Sequence, residues 1–350
     1  MPVQEAIPER VVVVRLGAIG DVVNALVFAT ALKRERPEMR LGWVVHPLVL
    51  PLVEDHPCID RVHVWQRGGG LGEFRRVLAE VRAERYELAV DLQRIQKSSL
   101  LARLSGARRV LGYDRRRAKE LSWLWSTERI DAGDSIAHMV EQYLEFARYL
   151  GARKAEAEGD LHRFPADPAA ERWVTECIDR LGGEPILLNL GATKSANRWA
   201  PERWGTLAAR LRKEFDMPVA LTGGPGDRAL ADTAMSAAGA DSGVHDLVGA
   251  TDLRQLIALS RRTRLFVTGD TGPMHIAAAR GTPVVALFGA AEARRTGPWG
   301  AQHRIVSRLP ACAPCGRRHC NQARHICMED LSVELVLDEV RRSLTVAPAN

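Results

Sequence analysis

Leu265-Phe-Val-Thr-Gly-Asp-Thr-Gly-Pro-Met-His275 reads as a short apolar strand, a polar turn and the first turn of a small-residue helix continuing through Ile276-Ala-Ala-Ala279. A strand that feeds a Gly-containing turn and a helix N-terminus makes an anion seat, because unpaired backbone N–H groups and the positive end of the helix dipole point at one spot. Asp270, Thr271, Gly272 and His275 crowd that spot. Gly272 lets a ligand approach the backbone, Asp270 accepts from hydroxyls or cations, and His275 donates to a phosphate. The plainer alternative is an ordinary strand–helix turn in which Asp270 caps the helix and His275 is packed.

Working outward, the same strand–turn–helix grammar recurs along the chain. Arg10-Val-Val-Val-Val-Arg15 is a β-branched run suited to a fully buried parallel strand. Leu16-Gly-Ala-Ile-Gly-Asp21 follows, and then an amphipathic helix is expected to about Arg36, stopped by Pro37. The spacing is not G-x-G-x-x-G, so no dinucleotide cofactor is indicated; Gly17 and Gly20 instead leave space at the strand's C-terminal edge. Asp21 stands at the helix start, where an N-cap is the plain alternative to a chemical role. Strands are expected over 41–45, 62–65, 88–92 and 109–113, with helices near 49–54, 71–82 and 135–150. Asp91-Leu-Gln-Arg-Ile-Gln-Lys-Ser98 again places polar residues between a strand and a helix.

Residues 151–166 are Ala-, Glu-, Gly- and Pro-rich with weak periodicity and form the expected linker. A second alternating series follows: helices over 168–182, 201–215, 228–239 and 252–260, and strands over 185–190, 218–222, 244–248 and 283–288, with the opening strand between the last two. Two such series predict an α/β protein of two Rossmann-like domains, 1–160 and 161–350, facing each other across a cleft. A length of 350 residues suits two domains, and 46% hydrophobic with 26% charged residues suits a packed globular chain. The polar, acidic N-terminus is not a secretory signal, and no apolar run approaches the about 20 residues of a membrane span, so a cytoplasmic location is expected.

The net charge of +6 points to an anionic partner: a nucleotide, a phospholipid surface or a nucleic acid. Arg115, Arg116, Arg117 and Lys119 lie beside Trp123 and Trp125, a combination suited to anionic headgroups, and Arg317 and Arg318 form a second basic knot. Aromatic residues are 5% of the chain and no basic–aromatic strand stands out, so nucleic acid is not an expected partner. Cys312-Ala-Pro-Cys315, with Cys320 and Cys327 following, has a spacing compatible with structural zinc, or with a cysteine-rich loop held by packing.

Taken in order, these motifs resemble those of the ADP-heptose:lipopolysaccharide heptosyltransferases, glycosyltransferase family 9. The resemblance covers nearly the whole chain. It rests on Leu16-Gly-Ala-Ile-Gly-Asp-Val-Val23, the 91–98 segment, Arg198-Trp-Ala-Pro-Glu-Arg-Trp204, Gly223-Gly-Pro-Gly-Asp227, Gly269-Asp-Thr-Gly-Pro-Met-His275, Thr296-Gly-Pro-Trp-Gly300 and the closing cysteines. It implies a GT-B fold, with the acceptor on the first domain and the nucleotide sugar on the second. It also implies an inverting transfer of heptose, without a catalytic metal, from ADP-heptose to the lipopolysaccharide inner core (Kdo or heptose on lipid A). The enzyme would be cytoplasmic and would reach its acceptor peripherally, at the cytoplasmic face of the inner membrane, in building the cell envelope.

By the same resemblance Asp21 is the catalytic base. Donor residues would be Thr193, Lys194, Arg198, Asp227, Asp270, Thr271, Gly272 and His275, and acceptor residues Gly20, Gln93, Lys97 and Arg116. The chain departs from the family at Asn197, where Lys is common and for which Lys194 or Arg198 is the substitute cation, and at Asn24, often His. Two alternatives stand beside this reading. One is a family member with another nucleotide sugar or acceptor. The other is a non-catalytic nucleotide-binding protein with 312–327 as an interaction module.

Overall fold

The computed structural model describes residues 7–66, 68–153 and 162–345, and the chain divides into two compact units, Met1–Ala166 and Asp167–Asn350. The first unit runs β1 (Arg10–Val14), α1 (Ile19–Glu35), β2 (Arg40–Val45), β3 (Arg61–Val64), α2 (Gly70–Ala83), β4 (Leu88–Asp91), α3 (Gln96–Leu104), β5 (Arg109–Gly112), β6 (Glu128–Arg129) and α4 (Met139–Tyr149). Its six strands are parallel in the order β3-β2-β1-β4-β5-β6. Val13 stands between Trp43 and Val90 in that register. Val11 to Val14 are buried on both faces of the sheet, which is why the strand reads as a continuous apolar run rather than an alternating one. Helix α1 was expected to be amphipathic and is not: it is buried almost all round from Val22 to Leu32 and packs on α4, so apolar residues occupy every face.

The second unit repeats the plan. It runs α5 (Pro168–Leu181), β7 (Ile186–Asn189), α6 (Pro201–Phe215), β8 (Val219–Thr222), α7 (Arg228–Ala238), β9 (Val244–Asp246), α8 (Leu253–Arg261), β10 (Leu265–Gly269), α9 (Gly272–Ala279), β11 (Val284–Phe288), α10 (Ala293–Thr296), β12 (Arg304–Ser307), α11 (Ile326–Glu329) and α12 (Val333–Thr345). Its parallel sheet has the order β12-β11-β10-β7-β8-β9. Counted from the first strand of each unit, both orders are 3-2-1-4-5-6, the doubly wound arrangement. Asp167 caps α5 by accepting from Ala169 N (3.0 Å) and Ala170 N (2.9 Å), and an Asp252–Gln255 capping box opens α8.

The structure departs from the sequence expectations at the edges. The helix expected over 135–150 begins at Met139, because His138 Nδ1 accepts from Val140 N (3.2 Å) as its N-cap. The helix expected near 49–54 is a 3₁₀ segment, Pro47–Leu52, with Pro51 inside it. Strands β6 and β12 were not anticipated. β6 is two residues long and β12 only partly buried, so neither carries a period-two signal.

Candidate active site

In an open doubly wound sheet, ligands bind where neighbouring strands send their chains in opposite directions. In the first unit that point lies between β1 and β4, and the loops after these strands are joined by Leu16 N donating to Gln93 Oε1 (2.9 Å). Gly17 has φ +152°, a conformation strained for side-chain-bearing residues, where the chain turns from β1 towards α1. Asp21 is not the N-cap of α1. That position is Ala18, and Asp21 lies in the first turn, where its carboxylate is paired with the Arg15 guanidinium.

Arg15 ends β1 with its side chain buried, whereas the Asp21 side chain is 38% exposed. Arg15 Nη1 donates to Leu92 O (2.9 Å), and the guanidinium lies 5.9 Å from the centre of the Tyr143 ring. Burial alone would lower the Arg15 pKa, but Asp21, Tyr143, Tyr113 and Asp91 outweigh it and hold the pKa above the usual value. Beside it, Asp91 is pushed up by burial against hydrogen bonds that include Ser99 and the Gln93 backbone. The Tyr113 phenol is pushed up to about 12 by burial. The base of the crevice thus holds the buried guanidiniums of Arg15 and Arg94 (the latter 4.9 Å from the centre of the Tyr113 ring) among acids and phenols, and Arg15 is paired with a carboxylate open to solvent.

Gly20 is buried in the same first turn, Lys97 is exposed in the first turn of α3, and Arg116 is exposed in a turn closed by Asp114 Oδ1 (2.9 Å from Arg116 N). Asn24 is buried within α1.

In the second unit the corresponding point lies between β7 and β10. Asn189, the last residue of β7, donates through Nδ2 to Thr268 Oγ1 (3.1 Å), Gly191 O (3.3 Å) and Thr271 Oγ1 (3.4 Å), tying the two loops together. Asn197 is buried and its Nδ2 donates to Asp270 Oδ2 (3.0 Å). Asp270 is thus oriented by Asn197 and is not the helix cap. The N-cap of α9 is Thr271, whose side chain makes no capping bond; Pro273 has no N–H, so the donors of the first turn are the backbone N–H groups of Gly272 and Met274. His275 is buried one turn into the helix.

Thr193 and Arg198 are exposed and Lys194 half-buried on the β7 loop, with Arg198 Nε donating to Ala192 O (2.9 Å). Asp227 accepts from Gly224 N (2.9 Å) through Oδ2 and packs against Gly191, where a Cβ would stand 2.2 Å from that oxygen. The β7, β8 and β10 loops thus bring Asn189, Asn197, Asp227, Asp270 and Thr271 together.

The β7 loop is braced from the far end of the chain. Ala196 N (3.1 Å) and Ser195 Oγ (3.3 Å) donate to Arg318 O, Ser195 Oγ bonds His319 Nδ1 (2.8 Å), and His325 Nε2 donates to Ala196 O (3.0 Å). Trp199 and Trp204 meet edge to face at 4.9 Å, and Trp199 Nε1 donates to Leu331 O (2.8 Å). Cys312, Cys315 and Cys320 are exposed free thiols and Cys327 a buried one, pushed up by burial and by the other three. Those thiols sense one another electrostatically, yet among the described residues no group of three or more His, Cys, Asp and Glu stands close enough to hold a metal ion.

Arg15, Asn189, His319 and His325 were not among the residues expected to serve the site. Arg15 had a signal, since a charged residue that ends a wholly apolar strand must find a buried partner. The contacts of the other three join residues about 80 or more positions apart, so no local pattern marks them.

The chain matches the family model described as Glycosyltransferase family 9 (heptosyltransferase) over residues 74–325. It is 25% identical over 307 residues to the lipopolysaccharide core heptosyltransferase OpsX of Haemophilus influenzae, covering 88% of this chain and 86% of that protein. Its fold is that of a family 9 glycosyl transferase from Veillonella parvula, with a TM-score of 0.83, 20% identity, and coverage of 97% and 98% of the two chains. It is also similar to the E. coli heptosyltransferase WaaC solved with ADP, with a TM-score of 0.75, 21% identity, and coverage of 95% and 99%. The two doubly wound units are those of the GT-B fold, and with the family model spanning well over half of its length, the chain belongs to glycosyltransferase family 9, the heptosyltransferases.

Proposed function

We propose that this glycosyltransferase moves heptose from ADP-heptose to the lipopolysaccharide inner core, with inversion at the anomeric carbon and without a catalytic metal. The first unit holds the acceptor, a Kdo or heptose residue on lipid A, through Gly20, Gln93, Lys97 and Arg116. The second holds the nucleotide sugar. The observation that carries this reading is the start of α9, whose N-cap Thr271 makes no side-chain capping bond while Asn197 Nδ2 donates to Asp270 beside it. A nucleoside diphosphate fits that seat, and a solved neighbour of the same fold is described with ADP.

In the reaction the acceptor hydroxyl oxygen attacks the anomeric carbon and its proton passes to the Asp21 carboxylate. The bond from that carbon to the diphosphate oxygen breaks, and ADP leaves with the electron pair. The charge gathering on the diphosphate meets the N-terminus of α9, His275 and a cation of the β7 loop, Lys194 or Arg198. Thr193 lines the same loop, and Asp227 serves the ribose. Arg15 sets the direction of the Asp21 carboxylate and is a positioning residue.

Thermal unfolding with ADP, UDP, GDP and CDP tests the donor. A ligand at about 100 times its Kd stabilises by about 2.7 kcal/mol, so ADP is expected to raise Tm and the others not. A preference for another nucleotide would overturn the ADP-heptose assignment while leaving the seat. Asp21→Asn is expected to abolish transfer with ADP affinity unchanged; retained turnover would remove Asp21 as the base.

A further inference from the structure

Ligands of a doubly wound sheet bind at the edge its strands run towards. The opposite edge of the first unit carries a cavity that this rule leaves unexplained. It has a volume of about 260 Å³, and its walls come from the starts of β1, β2 and β3 and from the turn after α2. Each of these three strands opens on an arginine: Arg10, Arg40 and Arg61. Arg10 stands opposite Arg40 in the β1–β2 register, and Arg61 opposite Gly42 in the β2–β3 register. Three guanidiniums are thereby collected at the end of the sheet remote from the loop that carries Asp21.

The acids around the cavity do not neutralise them. Asp60 is spent on the backbone and on Lys33: its Oδ2 accepts from Leu41 N (2.6 Å) and pairs with Lys33 Nζ (2.9 Å). Glu84 approaches Arg61 at 3.6 Å, and its backbone oxygen accepts from Arg10 Nη1 (2.8 Å). The Arg40 side chain is exposed and, among the described residues, has no hydrogen bond or ion pair. With Lys33 and Asp60 cancelling, three arginines face the one carboxylate of Glu84, an excess of two positive charges. Tyr86 completes the lining. It is buried against Gly42, where a Cβ would collide with the phenol oxygen, and that oxygen is already bonded to His63 Nε2 (2.9 Å).

We infer that this cavity binds a small phosphate dianion, either free orthophosphate or the phosphate group of a small monoester. The excess charge matches a dianion, and planar guanidiniums take phosphate oxygens in pairs. Three like charges gathered at one sheet edge repel one another, and a dianion between them removes that cost. At about 260 Å³ the cavity is smaller than the pockets of drug-sized ligands, so the group it takes is small.

The test is titration calorimetry of the full chain with orthophosphate, glycerol 3-phosphate and succinate, at constant ionic strength in chloride. No sugar donor or acceptor is present, so the outcome does not depend on the proposed transfer. Both phosphates are expected to bind and succinate is not; the tighter phosphate identifies the source. Arg40→Ala removes a charge-assisted partner and is expected to weaken phosphate about tenfold. Because Arg40 has no bond within the fold to lose, Tm without phosphate should stay the same. Lys194→Ala, in the loop proposed to meet the nucleotide's diphosphate, is expected to leave phosphate affinity unchanged. The proposal is overturned if neither phosphate binds or if succinate binds as tightly. It is overturned equally if Arg40→Ala binds like the wild type, or if Lys194→Ala is the variant that loses phosphate.

Discussion

Arg15 is a buried charge that links two loops of the first unit to an exposed carboxylate. Its guanidinium ties together the ends of β1 and β4 and holds Asp21 at the mouth of the crevice. Replacing it with Met removes the ion pair with Asp21 and the bond to Leu92 O. Because the Asp21 side chain is 38% exposed, its charge is left to solvent and not stranded in the core, so Arg15→Met is expected to lower the denaturant midpoint modestly and kcat strongly. On the proposal that the other unit seats the donor, ADP affinity measured by calorimetry should not change. Arg15→Lys should recover stability more than turnover, since a lysine keeps the charge but not the fork that donates to both Asp21 and Leu92 O. The place of Asp21 at a strand–helix turn was legible in the sequence, and its role as base is the proposal the family resemblance suggests. Its partner Arg15 stands in the same strand–helix turn and was marked only as a charge after a wholly apolar strand; the bond from Arg15 to Leu92 O, which needs β1 beside β4, is a fact of topology and left no mark in the spacing.

At the scale of elements, the loop after β7 is shaped by a segment more than 100 residues away. His325 donates to Ala196 O, and the same turn presents Asn197 to Asp270. One hydrogen bond of this kind contributes about 0.5–1.5 kcal/mol, so His325→Ala is expected to weaken ADP about two- to tenfold with kcat on saturating donor little changed. His325→Gln, which keeps an N–H donor, should restore most of the affinity; equal loss in both variants would show that the ring's packing matters and not its bond.

A second element-scale device is His303, between β11 and β12. Its Nδ1 accepts from Val284 N (3.2 Å) and its Nε2 donates to Trp299 O (2.9 Å), so the neutral ring is fully used. Burial lowers its pKa from 6.5 to about 4. The unfolded chain binds the proton first, so this group's stabilisation is present above pH 6.5 and is lost as pH falls towards about 4. His303→Gln is expected to flatten the loss of Tm between those pH values; an unchanged slope would assign the acid sensitivity elsewhere. Most helices and central strands were legible, because apolar runs of β-branched residues and capped helix starts carry strong local signals. The two sheet edges were not, since a short or half-exposed strand has no alternation to read.

At the scale of the whole molecule, two units of one topology are proposed to divide the labour. On that proposal the β7, β8 and β10 loops hold the donor, and the β1 and β4 loops hold the base and the acceptor. Hydrogen exchange with saturating ADP is expected to protect residues 191–199 and 269–275 and to leave the segments around Asp21 and Gln93 unchanged. Protection confined to the first unit would reverse the assignment of donor and acceptor. The repetition of strand, polar turn and helix made both units visible in the sequence. The bracing of the donor loop by the 318–325 segment was not visible, because its contacts are made by backbone carbonyls and two histidines in an irregular stretch.

The most direct measurement is the product of incubating the enzyme with ADP-heptose and inner-core lipid A acceptors in the presence of EDTA, read by mass spectrometry and by the anomeric configuration of the new linkage. The expected result is one added heptose of inverted configuration, formed at an undiminished rate under chelation and absent with Asp21→Asn. Retained configuration, dependence on a divalent cation for turnover, or transfer of a different sugar from a different nucleotide would contradict it.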